Sequence, residues 1–189
     1  MTDLDLATRF LERSRYYLHV EYPAKITAAV RTVPQAELWW RPNPGANSVG
    51  NLVLHLAGNI RQWVVSGIGG APDVRRRHEE FAATGGLEHE STHESTHDAL
   101  LGHLHDAVQA ADAVLATLHP STLGHPRRIQ GRETTIFSAL YHVVEHFAGH
   151  TGQIILLAKQ FTPHAVRFYD DSGGLARPLF LPDGGTDVA

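Results

Sequence analysis

His146-Phe-Ala-Gly-His150-Thr-Gly-Gln153 sets two imidazoles one helical turn apart inside a long apolar-periodic stretch. At about 100° per residue, His150 lies about 40° from His146 around a helix axis and Gln153 about 20° to the other side, so all three share a face. Two neutral imidazole nitrogens at that spacing can clamp one divalent ion. A third ligand has to come from another element, and His55 in Asn51-Leu-Val-Leu-His55-Leu-Ala-Gly-Asn59 is the best candidate. Imidazole suits zinc, nickel, copper or iron(II), and three protein ligands with an open position is the pattern of a catalytic rather than a structural metal. The chemistry to expect is activation of water or of a thiol. Glu145, Gln153 and Asn59 stand beside the three histidines as candidates for orienting ligands or substrate.

Each histidine has a plainer reading. A single imidazole on an apolar helix face is usually a hydrogen-bonded core residue, and His55 alone would be read that way. Burying two adjacent imidazoles is costly unless something compensates, which a metal does. Gly58, Gly149 and Gly152, each costing about 1 kcal/mol of helix propensity, leave room next to these histidines for a close helix or a substrate. His142-Val-Val-Glu145-His146 also has the order of inverted zinc peptidases, with the glutamate as base. That arrangement needs a further carboxylate ligand downstream, and no Glu follows Glu145. His103 and His105 cannot share a helix face and read as surface residues.

Four long helical segments must position the candidates. The first opens at Thr2, whose spacing to Asp5 fits a capping box, and Tyr22-Pro23 should kink or split it. The second starts with Ser48 as cap and runs to about Ser66, carrying His55 and Asn59. From Gly67 to about Glu90 the chain reads as a long loop, with Arg75-Arg76-Arg77 and Glu79-Glu80 taken as solvated charge. His89-Glu-Ser-Thr-His93-Glu-Ser-Thr96 repeats a four-residue unit. It supplies two overlapping capping boxes, Ser91 to Glu94 and Ser95 to Asp98, for a third helix that ends at His119-Pro120. A connector through Pro126 and Arg132 leads to a cap at Thr134 or Thr135 and a fourth helix over Ile136–Phe161, with a core stripe of Phe137, Leu140, Val144, Phe147, Ile154, Leu157 and Phe161. No stretch of convincing length has strand periodicity. The expected fold is all-α: a four-helix bundle over residues 1–161 with long connections. An irregular tail over 162–189 either docks through Phe168, Tyr169 and Leu179-Phe180-Leu181 or frays.

Composition narrows the partners. A formal charge of -4 over 189 residues gives no broad attraction to polyphosphate, so no nucleic-acid partner is expected. With no cysteine in the chain, disulfides and protein thiol nucleophiles are excluded and any reacting thiol belongs to a cosubstrate. Neither a signal-peptide pattern nor an apolar run of about 18 residues is found, so a cytoplasmic protein without membrane partners is expected.

Asn47-Ser-Val-Gly-Asn-Leu-Val-Leu-His55 and His142-Val-Val-Glu-His146-Phe-Ala-Gly-His150-Thr-Gly-Gln153-Ile together resemble the motifs of the DinB/YfiT-like superfamily of metal-binding four-helix proteins. The resemblance runs from the first helix to about Phe161. It implies a metal bound by His55, His146 and His150, with zinc or nickel as the divalent ion, and a homodimer acting on a small-molecule substrate. Activities it implies are thiol transfer with bacillithiol or mycothiol, mycothiol-dependent isomerisation, or hydrolysis. A metal-dependent hydrolase or thiol S-transferase is therefore the leading expectation, with a non-catalytic metal or small-ligand binding bundle as the alternative. A third possibility is a purely structural bundle whose core histidines are satisfied without metal.

Overall fold

The computed structural model describes residues 2–85, 96–174 and 176–180. Within them the chain is mostly helical. α1 (Asp3–Arg15) runs through a π-helical stretch, Tyr16–Glu21, into α2 (Tyr22–Val30). α3 (Val49–Ile60) continues as a second π-helical stretch, Arg61–Ile68. A short α4 (Arg77–Ala82) precedes α5 (Thr96–Ala116) and α6 (Ile136–Phe161). Two small hairpins complete the order, β1 (Pro126–Ile129) with β2 (Arg132–Thr135), and β3 (Tyr169–Asp170) with β4 (Arg177–Pro178).

The expected caps are present. Thr2 and Asp5 bond reciprocally at the start of α1, Ser48 and Asn51 do so at α3, and the Thr135 hydroxyl accepts from the Ser138 N–H at α6. Pro23 does not end the first rod. It has no N–H to give and its ring crowds the carbonyl four residues back, and the π-helical turns just before it widen the spiral there.

Leu18, Ile26, Leu52, Leu56, Ile60, Leu100, Leu104, Leu140, Phe147 and Ile154 form the centre of one continuous core. Phe137 departs from the expected stripe: it is 46% exposed and lies on the surface against Phe10, ring centroids 4.5 Å apart. It shares the outer edge of α6 with Tyr141, about 40° round the helix and 60% exposed, while Ile136, Ala139 and Leu140 of the same turn are buried.

Two regions read as irregular have structure. The Pro126–Arg132 connector is a hairpin turned by Gln130 and Gly131, both at positive φ (53° and 74°), the pair of left-handed residues that a tight hairpin turn requires. The Gly67–Glu90 loop contains α4, and its beginning is already helical as far as Ile68. Residues 86–95, with His89, His93 and both capping boxes of the repeat, lie outside the described residues, as does Leu181. In the described part of the tail, Phe168 and Tyr169 meet the Phe180 ring at 6.0 and 5.8 Å, and Lys25 Nζ of α2 sits 4.7 Å from its centroid. Among the described residues no helix is long and apolar enough to cross a membrane.

Candidate metal centre

His55 sits in the middle of α3, where its helix is buried on nearly every side, and the ring itself is 4% exposed. His146 and His150 sit one turn apart on the half-buried face of α6. Ring centroids lie 4.9 Å apart for His55–His146, 5.1 Å for His55–His150 and 4.4 Å for His146–His150. One ligand nitrogen from each falls within 4.8 Å of the other two. About two turns beyond His55 and one turn before His146, Trp63 packs against His142, centroids 4.3 Å apart. The two sets of contacts run in opposite chain directions, so α3 and α6 are antiparallel and their facing sides carry this row of rings.

The hydrogen bonds fix which ring nitrogens face inward. His55 Nδ1 lies 2.9 Å from Glu80 Oε2, and His150 Nδ1 lies 2.7 Å from Gln153 Oε1. An oxygen acceptor on Nδ1 holds the proton there and leaves the Nε2 lone pair free for the cluster's centre, which is how metal-ligating histidines are usually set. His146 Nε2 and His55 Nε2 face each other at 2.9 Å. Two nitrogens on one tetrahedral ion at about 2.1 Å would stand about 3.4 Å apart, so the donor set fits a single divalent cation with little movement.

The electrostatics point the same way. Burial, then the neighbouring His150, His55 and His142 rings and the Arg75 charge, press the His146 pKa down to about 3. Burial also lowers His150, against the opposing hydrogen bond of Gln153. Both imidazoles are thus kept as neutral lone-pair donors at ordinary pH.

The other singled-out residues divide. Gln153 is exposed and acts on the cluster through His150. Glu145 is exposed, and its charge acts on His142, whose pKa burial lowers against it. Asn59 is buried, and among the described residues its Oδ1 has no hydrogen-bond partner. His142 stacks on Trp63 instead of joining the three ligands, so the inverted-peptidase spacing does not describe this cluster. His103 and His105 are on the surface, as expected.

The basic and acidic residues read as solvated are the largest miss. Arg75 and Glu80 side chains are 3% and 10% exposed and form a two-pronged ion pair: Nε to Oε1 at 2.7 Å and Nη2 to Oε2 at 2.8 Å. Burial works against the Glu80 charge, and the hydrogen bonds from Arg75 and His55 outweigh it, so the carboxyl titrates below its ordinary value. α4 is held there by Asn51, whose Nδ2 donates to the carbonyls of Glu80 and Ala83 at 2.9 and 2.8 Å while its Oδ1 completes the Ser48 cap. The sequence signal for this docking was Gly58: a Cβ there would collide with the Glu80 carboxylate.

The family model of mycothiol-S-transferases matches residues 18–162, a span that contains all three histidines and the α4 segment. The chain belongs to the mycothiol-S-transferase family. No curated protein matches it. A crystal structure of a DinB-like protein from Bacillus cereus ATCC 10987 superposes with a TM-score of 0.55 over 80% of this chain and 89% of that one, at 16% identity. At that identity the likeness is one of fold. The matched span ends at Thr162, one residue beyond α6, so the hairpin-forming tail lies outside the family's common part.

Proposed function

We propose that the protein is a metal-dependent thiol S-transferase in which His55, His146 and His150 hold one divalent ion, zinc or nickel. The observation that carries this is the convergence of three imidazoles from α3 and α6, in a chain whose family is named for mycothiol transfer. When bound, such an ion lowers the pKa of a coordinated thiol, so that a thiolate nucleophile is available at neutral pH. With no cysteine in the chain, that thiol is a low-molecular-weight cosubstrate of the mycothiol class. The second substrate is a small electrophile.

The chain's own residues then do three things. The three histidines present their ring lone pairs, His146 and His150 being kept neutral by burial. Gln153 and Glu80 fix the ring orientations of His150 and His55 through Nδ1. Asn59, with a buried unpartnered oxygen on the His55 helix, and Glu145, on the exposed side of α6, are the groups left to orient substrate. The domain reading accompanies this one: a four-helix bundle over residues 1–161 built from α1–α2, α3 with its π-helical continuation, α5 and α6, with 162–189 as an appended tail, working as a cytoplasmic homodimer.

The test is the purified full chain reconstituted with zinc or nickel and offered mycothiol or bacillithiol, an electrophile, and separately ester and amide substrates. Thiol conjugation that requires the metal, with esters and amides untouched, is the expected result. Ester or amide hydrolysis without thiol turnover would assign the site to water activation instead. Bound metal with no turnover of any substrate would leave a binding protein. A chain that takes up no metal when offered zinc or nickel overturns the reading.

A further inference from the structure

The buried Arg75–Glu80 pair has no part in the core, touches a proposed ligand, and is held in place by three independent devices. Every donor nitrogen of Arg75 has an oxygen partner: Nε on Glu80 Oε1, Nη2 on Glu80 Oε2, and Nη1 on Gln62 Oε1 at 2.9 Å. The backbone of α4 hangs from Asn51, the residue that also caps α3. The α3 backbone opens at Gly58, one turn beyond His55, and the carboxylate fills the space a side chain would take. An ion pair buried this deeply is costly to desolvate and seldom stabilises more than an apolar replacement would. Its placement asks for another explanation.

We infer that Glu80 is a positioning residue for the His55 ligand, and that Arg75 and the Gly58 gap exist to aim it. The carboxylate accepts a hydrogen bond from His55 Nδ1–H at 2.9 Å and so commits the ring to the tautomer whose Nε2 lone pair faces His146 and His150. Arg75 Nη2 also comes within 3.0 Å of Nδ1 with a hydrogen able to reach it. One ring nitrogen cannot both donate to Glu80 and accept from Arg75, and the charge-assisted bond to the carboxylate, at 2.9 Å, takes the proton's direction while both groups share Glu80 Oε2. Arg75 holds the carboxylate by both oxygens and so prevents it from rotating into the cluster as a fourth ligand. The position for a substrate is therefore left open. Arg75 and Glu80 also line a half-open cleft of about 570 Å³ together with Gly58, Arg61, Gln62 and Val65, so the carboxylate is not simply squeezed onto His55 by close packing.

The inference rests on the three-histidine reading, and its test separates the two. In the metal-free full chain, ¹⁵N NMR of the imidazoles reports the His55 tautomer without any metal, and zinc affinity of the same samples is measured by competition with a chelator. The expected result is a protonated Nδ1 and a bare Nε2 on His55. Glu80→Ala and Gly58→Ala should lose that preference and bind zinc about 10–100-fold more weakly, the usual effect of removing a ligand's hydrogen-bond partner. Glu80→Gln, whose amide oxygen still accepts, should keep the tautomer and most of the affinity. Circular dichroism confirms that each variant is folded; the pair Glu80→Ala and Glu80→Gln guards against a loss that is only structural, since both remove the ion pair with Arg75. A protonated Nε2 on His55 in the wild type, or wild-type tautomer and zinc affinity in Glu80→Ala, overturns the inference. Absence of zinc binding by the wild type fails the three-histidine reading, while the tautomer still decides the role of Glu80.

Discussion

The two sides of the histidine cluster are built differently. On α6, His146 and His150 are half exposed, ordered by one helical turn and by a single local bond to Gln153. On α3, His55 is buried and gripped by a carboxylate and a guanidinium contributed by a segment 20 to 25 residues away. One side takes its geometry from helix periodicity alone. The other needs a separate piece of chain to dock before its ligand is aimed. The difference suggests a division of labour in which α3 supplies a rigid anchor and α6 the accessible face where substrate arrives.

Mutations can break that contrast. In the metal-free chain, His55→Ala should cost about 2–4 kcal/mol of folding stability, since it leaves a hole in the core and a buried carboxylate short of one donor. His150→Ala should cost less than about 1 kcal/mol. Urea unfolding compares them, and equal losses would show that the two sides are held alike.

The glycines sharpen the same point with opposite signs. Gly149 and Gly152 face open space, so alanine at either should raise stability by up to about 1 kcal/mol through helix propensity. At Gly58 the same change drives a Cβ into the Glu80 carboxylate and should lower stability by about 1–3 kcal/mol. Thermal midpoints of the three variants check both signs.

Acid should weaken the fold in a defined window. Folded His146 stays neutral down to about 3, while the unfolded imidazole takes up a proton near 6.5. Between those values the unfolded chain binds more protons, so this contribution is intact above about 6.5 and is lost progressively as the pH falls toward 3. His150 and His142, also lowered by burial, add to the loss in the same direction. Urea midpoints of the metal-free protein at pH 8 and pH 5 should show the fall, and His146→Gln should flatten it. A midpoint that is unchanged or higher at pH 5 contradicts the burial argument.

Gln153→Ala should have the smallest effect on stability, within about 0.5 kcal/mol, because its bond to His150 lies on the exposed face. Its mark should appear in zinc affinity, as a loss no larger than about 10-fold.

What the sequence made legible followed from local rules. The caps at Thr2, Ser48 and Thr135, the extent of α6 and the shared face of His146 and His150 are set by spacing within a few residues. His55 was reachable because the cluster needed a third imidazole on another apolar helix. Arg75 and Glu80 were not, since a run of three arginines followed by two glutamates has the composition of a solvated loop. Only the docking of α4 onto Asn51 and Gly58 buries two of the five. The Gln130-Gly131 turn was hidden differently: a hairpin of four-residue strands carries too short an alternation to stand out, and positive φ at Gln130 is an uncommon choice for a residue with a Cβ.

The central claim is that three imidazoles from two helices share one cation. Zinc affinity of the full chain, measured by chelator competition for the wild type, His55→Ala, His146→Ala, His150→Ala and His103→Ala, tests it most directly. The account predicts one zinc per chain, a loss beyond about 100-fold in each of the three ligand variants, larger than an outer hydrogen-bond partner contributes, and no change in His103→Ala. Equal affinity in all five proteins would contradict it.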